Sequence, residues 1–282
     1  MKFHVFSEIE YEVLSPSTFI FNIHALRSSS QTVLEETFTV DPEIRIEEFT
    51  SKLVNNRFIK LEVLENITFK ITYNAVVDTY YRIIPQVDLE VIPVVQLDGD
   101  VIPFLFPSRY CQSDKLRRLA FDKFGHIKNV YLQVSTISEW INKNVEYTSG
   151  STNSSTSAYD TVTERIGVCR DYAHLGIALC RALSIPARYY TGYAYLLNPQ
   201  DFHACFEAYI GGKWIIFDAT KLAPLNGLVK IASGRDAADA AVSNTFGRVK
   251  TNSMTINCQV LDNFEPFYYD NNIMQGFSFD SK

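Results

Sequence analysis

Apolar and polar residues alternate through most of the first 105 residues of the chain. Runs of β-branched and aromatic residues, with polar residues between them, occupy 5–13, 19–25, 32–40 and 58–63. A further run places its apolar residues on one face at a period of two: Ile67, Phe69, Ile71 and Tyr73. Turn-forming segments such as Ser15-Pro16-Ser17 and Asp41-Pro42 separate the runs. The pattern predicts an N-terminal β-sandwich domain over residues 1–105.

After residue 105 the apolar positions follow a helical period. Helices are predicted over 113–124, 130–144 and 169–183. Strand-like runs then follow at 187–195, 203–210, 214–217 and 249–260. Helices first and antiparallel strands afterwards are typical of an α+β domain, which we predict over residues 106–282 with the last strand and the tail included. The polar residues 148–157, between the second and third helices, predict a mobile loop.

Composition and charge exclude several classes of protein. Of the 282 residues, 46% are hydrophobic and 21% are charged, which disfavours disorder, collagen and a long coiled coil. No apolar stretch approaches the roughly 20 residues that a membrane helix needs, and the N-terminus shows no apolar signal core. We therefore expect a soluble, cytoplasmic protein with no membrane partner. The formal net charge of -6 argues against a nucleic-acid partner.

The spacing of the cysteines matches neither a zinc ribbon nor a small disulfide scaffold, so free thiols are expected at all five positions: Cys111, Cys169, Cys180, Cys205 and Cys258. Cys169 stands out because it follows Gly167 at the predicted start of the third helix. The unpaired N–H groups and positive dipole end of a helix favour the thiolate, which is the nucleophilic form. Cys169 is therefore the candidate nucleophile. The alternative is a buried structural thiol, which is the role expected of Cys180.

A histidine and an aspartate on neighbouring strands strengthen this hypothesis. His203 opens one predicted strand, Asp218 ends the next, and Gly211-Gly212 between them predicts a hairpin turn. In a hairpin centred on Gly211-Gly212, residues whose numbers sum to about 423 face each other. His203 then faces position 220, and Asp218, two residues along, is its diagonal neighbour. In thiol catalysis, an imidazole accepts the proton of the thiol, and a neighbouring carboxylate orients the imidazole. The remaining histidines are expected to be structural or exposed: His4, His24, His126 and His174.

Three segments resemble the motifs of the transglutaminase-like superfamily, a group that includes bacterial candidate cysteine proteases. They are Gly-Val-Cys-Arg-Asp-Tyr-Ala-His-Leu at 167–175, Leu-Ser-Ile-Pro-Ala-Arg-Tyr at 183–189, and His203-Ala204 with Phe217-Asp218-Ala219-Thr220. The resemblance implies a papain-like α+β core preceded by a β domain. It also implies a catalytic triad of Cys169, His203 and Asp218 that requires no cofactor and no metal.

The reaction remains open between several classes. A triad of this kind forms an acyl-enzyme thioester, and attack by water would make the chain a cysteine protease, peptidase or amidase. Attack by a lysine amine would make it a transglutaminase, and the sequence does not distinguish the two. A non-catalytic binding module on the same fold is a further alternative. A metal site of His203, Cys205 and Asp218 is disfavoured, because a single residue separates His203 from Cys205 and no second ligand pair accompanies them. A peptide or protein amide is the expected partner.

Overall fold

The N-terminal half of the protein consists of strands, in a computed structural model that describes residues 1–52, 54–268 and 274–280. The burial of these strands alternates residue by residue, as the hydrophobic pattern predicted; in β1, every second side chain is buried. The strands are β1 (Lys2–Val13), β2 (Ser17–Phe21), β3 (Gln31–Asp41), β4 (Ile46–Thr50), β5 (Arg57–Val63), β6 (Thr68–Thr79) and β7 (Arg82–Pro85).

Helices and strands are mixed in the second half. The helices are α1 (Ser113–Phe124), α2 (Val130–Asn144), α3 (Ala158–Glu164), α4 (Cys169–Ala182) and α5 (Ala237–Ala240). The strands are β8 (Glu146–Tyr147), β9 (Ile166–Gly167), β10 (Ala187–Ala194), β11 (Phe202–Ile210), β12 (Lys213–Phe217), β13 (Leu228–Gly234), β14 (Ser243–Phe246), β15 (Val249–Val260) and β16 (Gln275–Ser278). Within the described residues, no helix is long and apolar enough to cross a membrane.

Two four-stranded antiparallel sheets form the predicted β-sandwich. Their strand orders are β15-β1-β6-β3 and β14-β2-β5-β4. Aromatic side chains pack between the sheets; the ring of Phe19 on β2 lies 5.2 Å from that of Tyr11 on β1 and 4.9 Å from that of Phe69 on β6. Large buried aromatic rings of this kind supply much of the apolar area that holds two sheets together.

The last long strand belongs to this sandwich and not to the second half of the chain. We placed 249–260 with the α+β core, but β15 pairs with β1 along its length, and β14 pairs with β2. Ile256 and Cys258 of β15 are buried against the sandwich. The reason is that β1 has two edges and β6 occupies one of them, so the second edge needs a partner from elsewhere in the chain. The division at residue 105 stays a prediction.

Helix α4 lies at the centre of the α+β half. It packs on the antiparallel sheet β12-β11-β10-β13, and helices α1, α2 and α3 contact its other sides. All but its first two residues are buried. Gly176 allows the close approach to the sheet, because a Cβ there would come within 2.6 Å of the Phe206 ring. The burial fixes the start of α4, and therefore Cys169, relative to the sheet.

Two buried amide side chains join the sandwich to the core sheet. β13 is an edge strand of that sheet, and its outer backbone groups are paired with amides from the N-terminal half. The side-chain nitrogen of Gln31 donates to Lys230 O (2.8 Å) and its oxygen accepts from Lys230 N–H (2.7 Å). Asn56 bonds Ser233 in the same reciprocal way (2.7 and 3.0 Å). The amides satisfy backbone groups that burial would otherwise leave unpaired.

Candidate active site

The start of helix α4 is held by a buried carboxylate. Asp171 Oδ2 accepts hydrogen bonds from the backbone N–H of Val168 (2.9 Å) and from Thr152 Oγ1 (2.8 Å). Gly167 is needed for this arrangement, because a Cβ there would lie 2.8 Å from the Asp171 Cβ. Cys169 is the first helical residue and is half-buried, whereas the other four cysteines are buried. All five thiols are free, as expected.

The polar segment 148–157 is a loop, as predicted, and it is bonded to the start of α4 at several points. Its mobility stays a prediction. Besides the bond from Thr152 to Asp171, Arg170 donates to Asn153 O (2.6 Å). The hydroxyl of Tyr110 donates to Ser154 O (2.8 Å), and Ser154 lines the cavity at Cys169. The segment supplies one side-chain hydroxyl, of Thr152, and two backbone oxygens, of Asn153 and Ser154, to the bonds that hold one wall of the site.

The hairpin of β11 and β12 brings His203 and Asp218 together with the predicted register. Phe206 pairs with Phe217 and Ile210 with Lys213, so paired residue numbers sum to 423. His203 Nε2 lies 2.9 Å from Asp218 Oδ2, and both side chains are buried. The other oxygen, Asp218 Oδ1, accepts from the backbone N–H (2.9 Å) and the hydroxyl (2.7 Å) of Thr220. Thr220 therefore orients the carboxylate, and the carboxylate orients the imidazole.

Charge and burial act in opposite directions on this pair. Burial alone would lower the pKa of His203, but the negative charge and hydrogen bond of Asp218 outweigh it and raise the pKa well above 6.5. Burial would likewise raise the pKa of Asp218, and the imidazole together with the bonds from Thr220 holds it below its usual value. Asp218 therefore stabilises the imidazolium that forms when His203 accepts a proton.

The second ring nitrogen of His203, Nδ1, is not bound by Asp218. Nδ1 is buried and has no hydrogen-bond partner among the described residues. The Cys169 side chain lies beside the imidazole and is one of the groups that raise the pKa of His203. Because Asp218 holds the proton on Nε2, Nδ1 is the nitrogen that can take the thiol proton. All three residues singled out from the sequence therefore meet at one place.

Cys205 lies close to the same imidazole. Its sulfur, one nitrogen of His203 and one carboxylate oxygen of Asp218 all lie within 4.8 Å of one another. Burial is the largest of the effects that raise the pKa of Cys205 to about 12, so the thiol is protonated at neutral pH. The ligand types suit zinc, although the sequence spacing disfavoured such a site. A metal would have to displace the bond between His203 and Asp218.

Tyr147 is a member of the site that the sequence analysis missed. It forms a two-residue parallel bridge in which Tyr147 pairs with Gly167, and its hydroxyl lies beside the backbone N–H of Cys169. Burial, followed by the nearby Cys169 side chain, raises the pKa of Tyr147 to about 12. The phenol therefore keeps its proton and can donate a hydrogen bond. A two-residue bridge leaves no periodic pattern, so no sequence signal marks this tyrosine.

A cavity of about 420 Å³ opens beside Cys169 and His203. Tyr110 and Ser154 line one side of it, and the residues from α5 to β14 line the other. The aromatic side chain of Phe202 and the short side chains of several alanines make much of the wall apolar. A cavity with an apolar wall and a few polar groups at one end is the usual form of a substrate site.

The other histidines have the structural or exposed positions that we expected. His174 is buried, stacks on Tyr110 with ring centroids 5.0 Å apart, and accepts a hydrogen bond from Ala237 N–H (3.1 Å). It therefore supports both walls of the cavity without reaching into it. His24 is buried in the sandwich, where desolvation lowers its pKa to about 4. His4 is half-buried and His126 is exposed.

Two family matches cover most of the chain. Residues 1–100 match the N-terminal domain of bacterial transglutaminases, and residues 117–219 match the transglutaminase-like superfamily. An uncharacterised protein of Mycobacterium leprae (strain TN) is 29% identical over 119 residues. That match covers 38% of this chain and 42% of the relative, so this chain matches less than half of the length of that relative.

Solved structures are also similar to this chain. A candidate cysteine protease from Cytophaga hutchinsonii is 64% identical, with a TM-score of 0.98; the match covers 99% of this chain and 98% of that one. The periplasmic domain of TgpA from Pseudomonas aeruginosa, bound to ethylmercury, is 16% identical with a TM-score of 0.39 over 76% of this chain and 75% of that one. The chain therefore belongs to the transglutaminase-like superfamily and has the bacterial transglutaminase N-terminal domain ahead of the superfamily core.

Proposed function

We propose that this protein is a thiol-dependent acyl-transfer enzyme that acts on amide bonds. Cys169 is the nucleophile, His203 is the general base and acid, and Asp218 orients the imidazole. The observation that carries the proposal is the buried His203 ring, which has Asp218 at 2.9 Å from Nε2 and the half-buried Cys169 side chain beside the imidazole. Nucleophile, base and orienting carboxylate thus stand in the order that covalent thiol catalysis requires.

In the first half of the reaction, the Cys169 thiol passes its proton to His203 Nδ1. The thiolate then attacks the carbonyl carbon of the amide, and the carbonyl oxygen takes up the negative charge. The imidazolium returns the proton to the nitrogen of the leaving amine as the C–N bond breaks. A thioester on Cys169 and a free amine remain. The charge of Asp218 stabilises the imidazolium in both proton transfers.

The developing oxyanion needs hydrogen-bond donors at the start of α4. The backbone N–H of Cys169 is one, since a first-turn N–H has no partner within its helix. The Tyr147 hydroxyl, which lies beside that N–H and keeps its proton at neutral pH, is the second. Loss of one such donor typically costs a factor of about 10² to 10³ in kcat.

Hydrolysis completes the reaction in the form that we favour. Water attacks the thioester while His203 accepts its proton, and the acid product leaves as the thiol regains a proton. A cysteine protease, peptidase or amidase is supported by the 64% identity to the Cytophaga protein, which is described as a candidate cysteine protease. A protein-glutamine transglutaminase would use an amine in place of water. A non-catalytic binding module is the alternative from another class, and the intact triad argues against it.

One mass-spectrometric experiment separates these functions. The purified protein is incubated with a glutamine-containing peptide, with and without a primary amine, and Cys169→Ala serves as the matched control. Backbone cleavage or conversion of glutamine to glutamate supports hydrolysis, and attachment of the amine supports the transglutaminase. A binding module would leave the peptide unchanged in both samples. Activity that persists in Cys169→Ala would contradict the assignment of the nucleophile.

We also propose that the protein acts in the cytoplasm on a peptide or protein amide, without a nucleic-acid or membrane partner. The five free thiols suit a reducing compartment, since disulfides are common in oxidising ones. The net charge of -6 is unfavourable for contact with phosphate backbones. Fractionation of cells that express the native gene, with antibodies to this chain, tests the location. Recovery in the periplasmic fraction would contradict it.

A further inference from the structure

One wall of the active-site cavity is formed by a run of consecutive residues. The residues that follow α5 all line it: Ala241, Val242, Ser243 and Asn244. Side chains of consecutive residues in an extended segment point to opposite faces, so a cavity on one face would contact every second residue. A cavity lined by each residue in turn must therefore face the edge of the segment, where the backbone N–H and C=O groups lie.

The side chain of Ser243 supports this orientation. Its hydroxyl oxygen accepts a hydrogen bond from Tyr11 in the sandwich core (3.2 Å), although Ser243 also lines the cavity. The backbone of Ser243 is thus the part of the residue that is left to face the cavity. β14, which begins at Ser243, is the terminal strand of its sheet and is paired on one side with β2.

The register shows which backbone groups are unpaired. The N–H of Asn22 donates to Val242 O (2.9 Å), so the polar backbone groups of Val242 point to β2. The direction alternates along an antiparallel strand, and those of Asn244 therefore also point to β2 while those of Ser243 point away. Among the described residues, the N–H and C=O of Ser243 have no backbone partner. Ser243 is half-buried at the cavity wall.

We propose that the open edge of β14 binds the substrate as an additional β-strand, which makes an extended polypeptide main chain the substrate class of this site. The proposal rests on the proposed function, since it is Cys169 that acts on the bound chain. The N–H and C=O of Ser243 pair with one residue of the substrate, and the alanines beside them leave room for its side chains. Main-chain pairing of this kind gives affinity with little dependence on sequence.

The experiment uses an affinity label, so that no natural substrate is needed. Acetyl-Ala-Ala-Ala chloromethyl ketone alkylates a reactive thiol with loss of chloride. Iodoacetamide alkylates the same thiol with loss of iodide and carries no peptide. Three analogues each carry one N-methylated alanine, which removes one main-chain donor. We expect one analogue to label Cys169 about fivefold more slowly than the parent, the effect of one net hydrogen bond of ~1 kcal/mol. Iodoacetamide provides the reference rate for Cys169 itself.

Three variants test the protein side of the same bond. Ser243→Pro removes the N–H that points into the cavity and leaves the pairing with β2 intact, because proline is tolerated where a strand's N–H faces outwards. Ser243→Ala removes the hydroxyl and keeps the N–H. Thr245→Pro makes the same backbone change farther along β14, outside the cavity lining. Circular dichroism checks that each variant is folded, and the rate of each variant with the peptide ketone is divided by its own rate with iodoacetamide.

The expected result is that Ser243→Pro labels about fivefold more slowly with the peptide ketone, while Ser243→Ala and Thr245→Pro label at the wild-type rate. Equal rates for all three variants, or equal rates for all three N-methyl analogues, would overturn the proposal. Failure of the proposed function looks different, because iodoacetamide would then label Cys169 no faster than the buried cysteines. If Ser243→Pro does not fold, the analogue series on the wild-type protein decides.

Discussion

At the scale of single residues, Asp218 has a testable effect on His203. Replacement of Asp218 by Asn keeps the shape and removes the charge that outweighs burial, so the pKa of His203 should fall. NMR titration of the His203 ring should show the midpoint at lower pH than in the wild type. Turnover should fall by a factor on the order of 10² to 10⁴. Near-native turnover in a folded Asp218→Asn variant would leave a dyad of Cys169 and His203.

A second prediction at this scale concerns the reactivity of the thiols. Limiting iodoacetamide at neutral pH should label Cys169 well ahead of the other cysteines, because Cys169 is half-buried beside a general base. Burial raises the pKa of each of the others: Cys111, Cys180, Cys205 and Cys258. Peptide mapping by mass spectrometry measures the order. Similar labelling of all five would remove Cys169 as the nucleophile.

Sequence reasoning identified three residues of the site and missed the fourth. Cys169, His203 and Asp218 were found because a helix start and a two-residue hairpin turn fix their positions locally, so counting along the chain predicts the geometry. Tyr147 could not be found in this way. Its place depends on a parallel bridge between 146–147 and 166–167, and on the burial of α4 that fixes both. Contacts of that kind leave no periodic pattern in the sequence.

At the scale of elements, the start of α4 depends on the absence of a side chain at Gly167. Gly167→Ala would place a Cβ 2.8 Å from the Asp171 Cβ and displace the carboxylate that bonds Val168 and Thr152. We expect the free energy of unfolding to fall by about 1–3 kcal/mol. Labelling of Cys169 should slow as well. Gly99→Ala is the matched control, since nothing lies within 4 Å of a Cβ there. Equal behaviour of the two variants would contradict the prediction.

Glu36 joins three strands of the sandwich, and its charge should contribute to the stability of the fold. Glu36 on β3 accepts from Arg57 on β5 (2.9 and 2.7 Å) and from Tyr73 on β6 (3.0 Å). Burial would raise the pKa of Glu36, but the bonds and charge of Arg57 lower it to about 2. Its contribution to stability is therefore complete above its ordinary pKa of 4.5 and is lost as pH falls towards 2.

Glu36→Gln should consequently lower the free energy of unfolding by about 1–3 kcal/mol at neutral pH. Denaturant titrations at several pH values should show this difference shrink below pH 4.5 and vanish near pH 2. The neighbouring Glu35 is exposed, so Glu35→Gln should change little. A difference between wild type and Glu36→Gln that does not vary with pH would mean that the charge of Glu36 is not the cause.

Element prediction succeeded where the pattern is long and periodic. Helices α1 and α2 have the predicted bounds because each has a continuous apolar face over three or more turns. Helix α3 was missed, since its seven residues include Tyr, Asp, Thr and Glu and follow a polar segment. β13 and β14 were also missed. Their pairings are long-range, and runs such as Leu228–Gly234 become strands through partners that lie far away in the sequence.

At the scale of the whole molecule, the two halves should unfold together. Gln31 and Asn56 of the sandwich bond the edge of β13 inside one continuous core, and the Tyr193 hydroxyl of β10 donates to Ile23 O (2.7 Å). We expect one thermal transition with the same midpoint by far-UV circular dichroism and by tryptophan fluorescence. Two resolved transitions would instead support independent domains divided near residue 105.

The position of β1 between β6 and β15 leaves one edge of β1 unpaired in the nascent chain during translation. The ribosome makes β1 well before β15, so one edge of β1 waits for its partner while the residues between them are made. At about 5–20 residues per second, the wait after β6 lasts roughly 10 to 30 seconds. An open strand edge presents unpaired N–H and C=O groups, which invite pairing with other chains during that interval. The Cys169 thiol is also made before β14, so it is synthesised before one wall of the cavity that it lines.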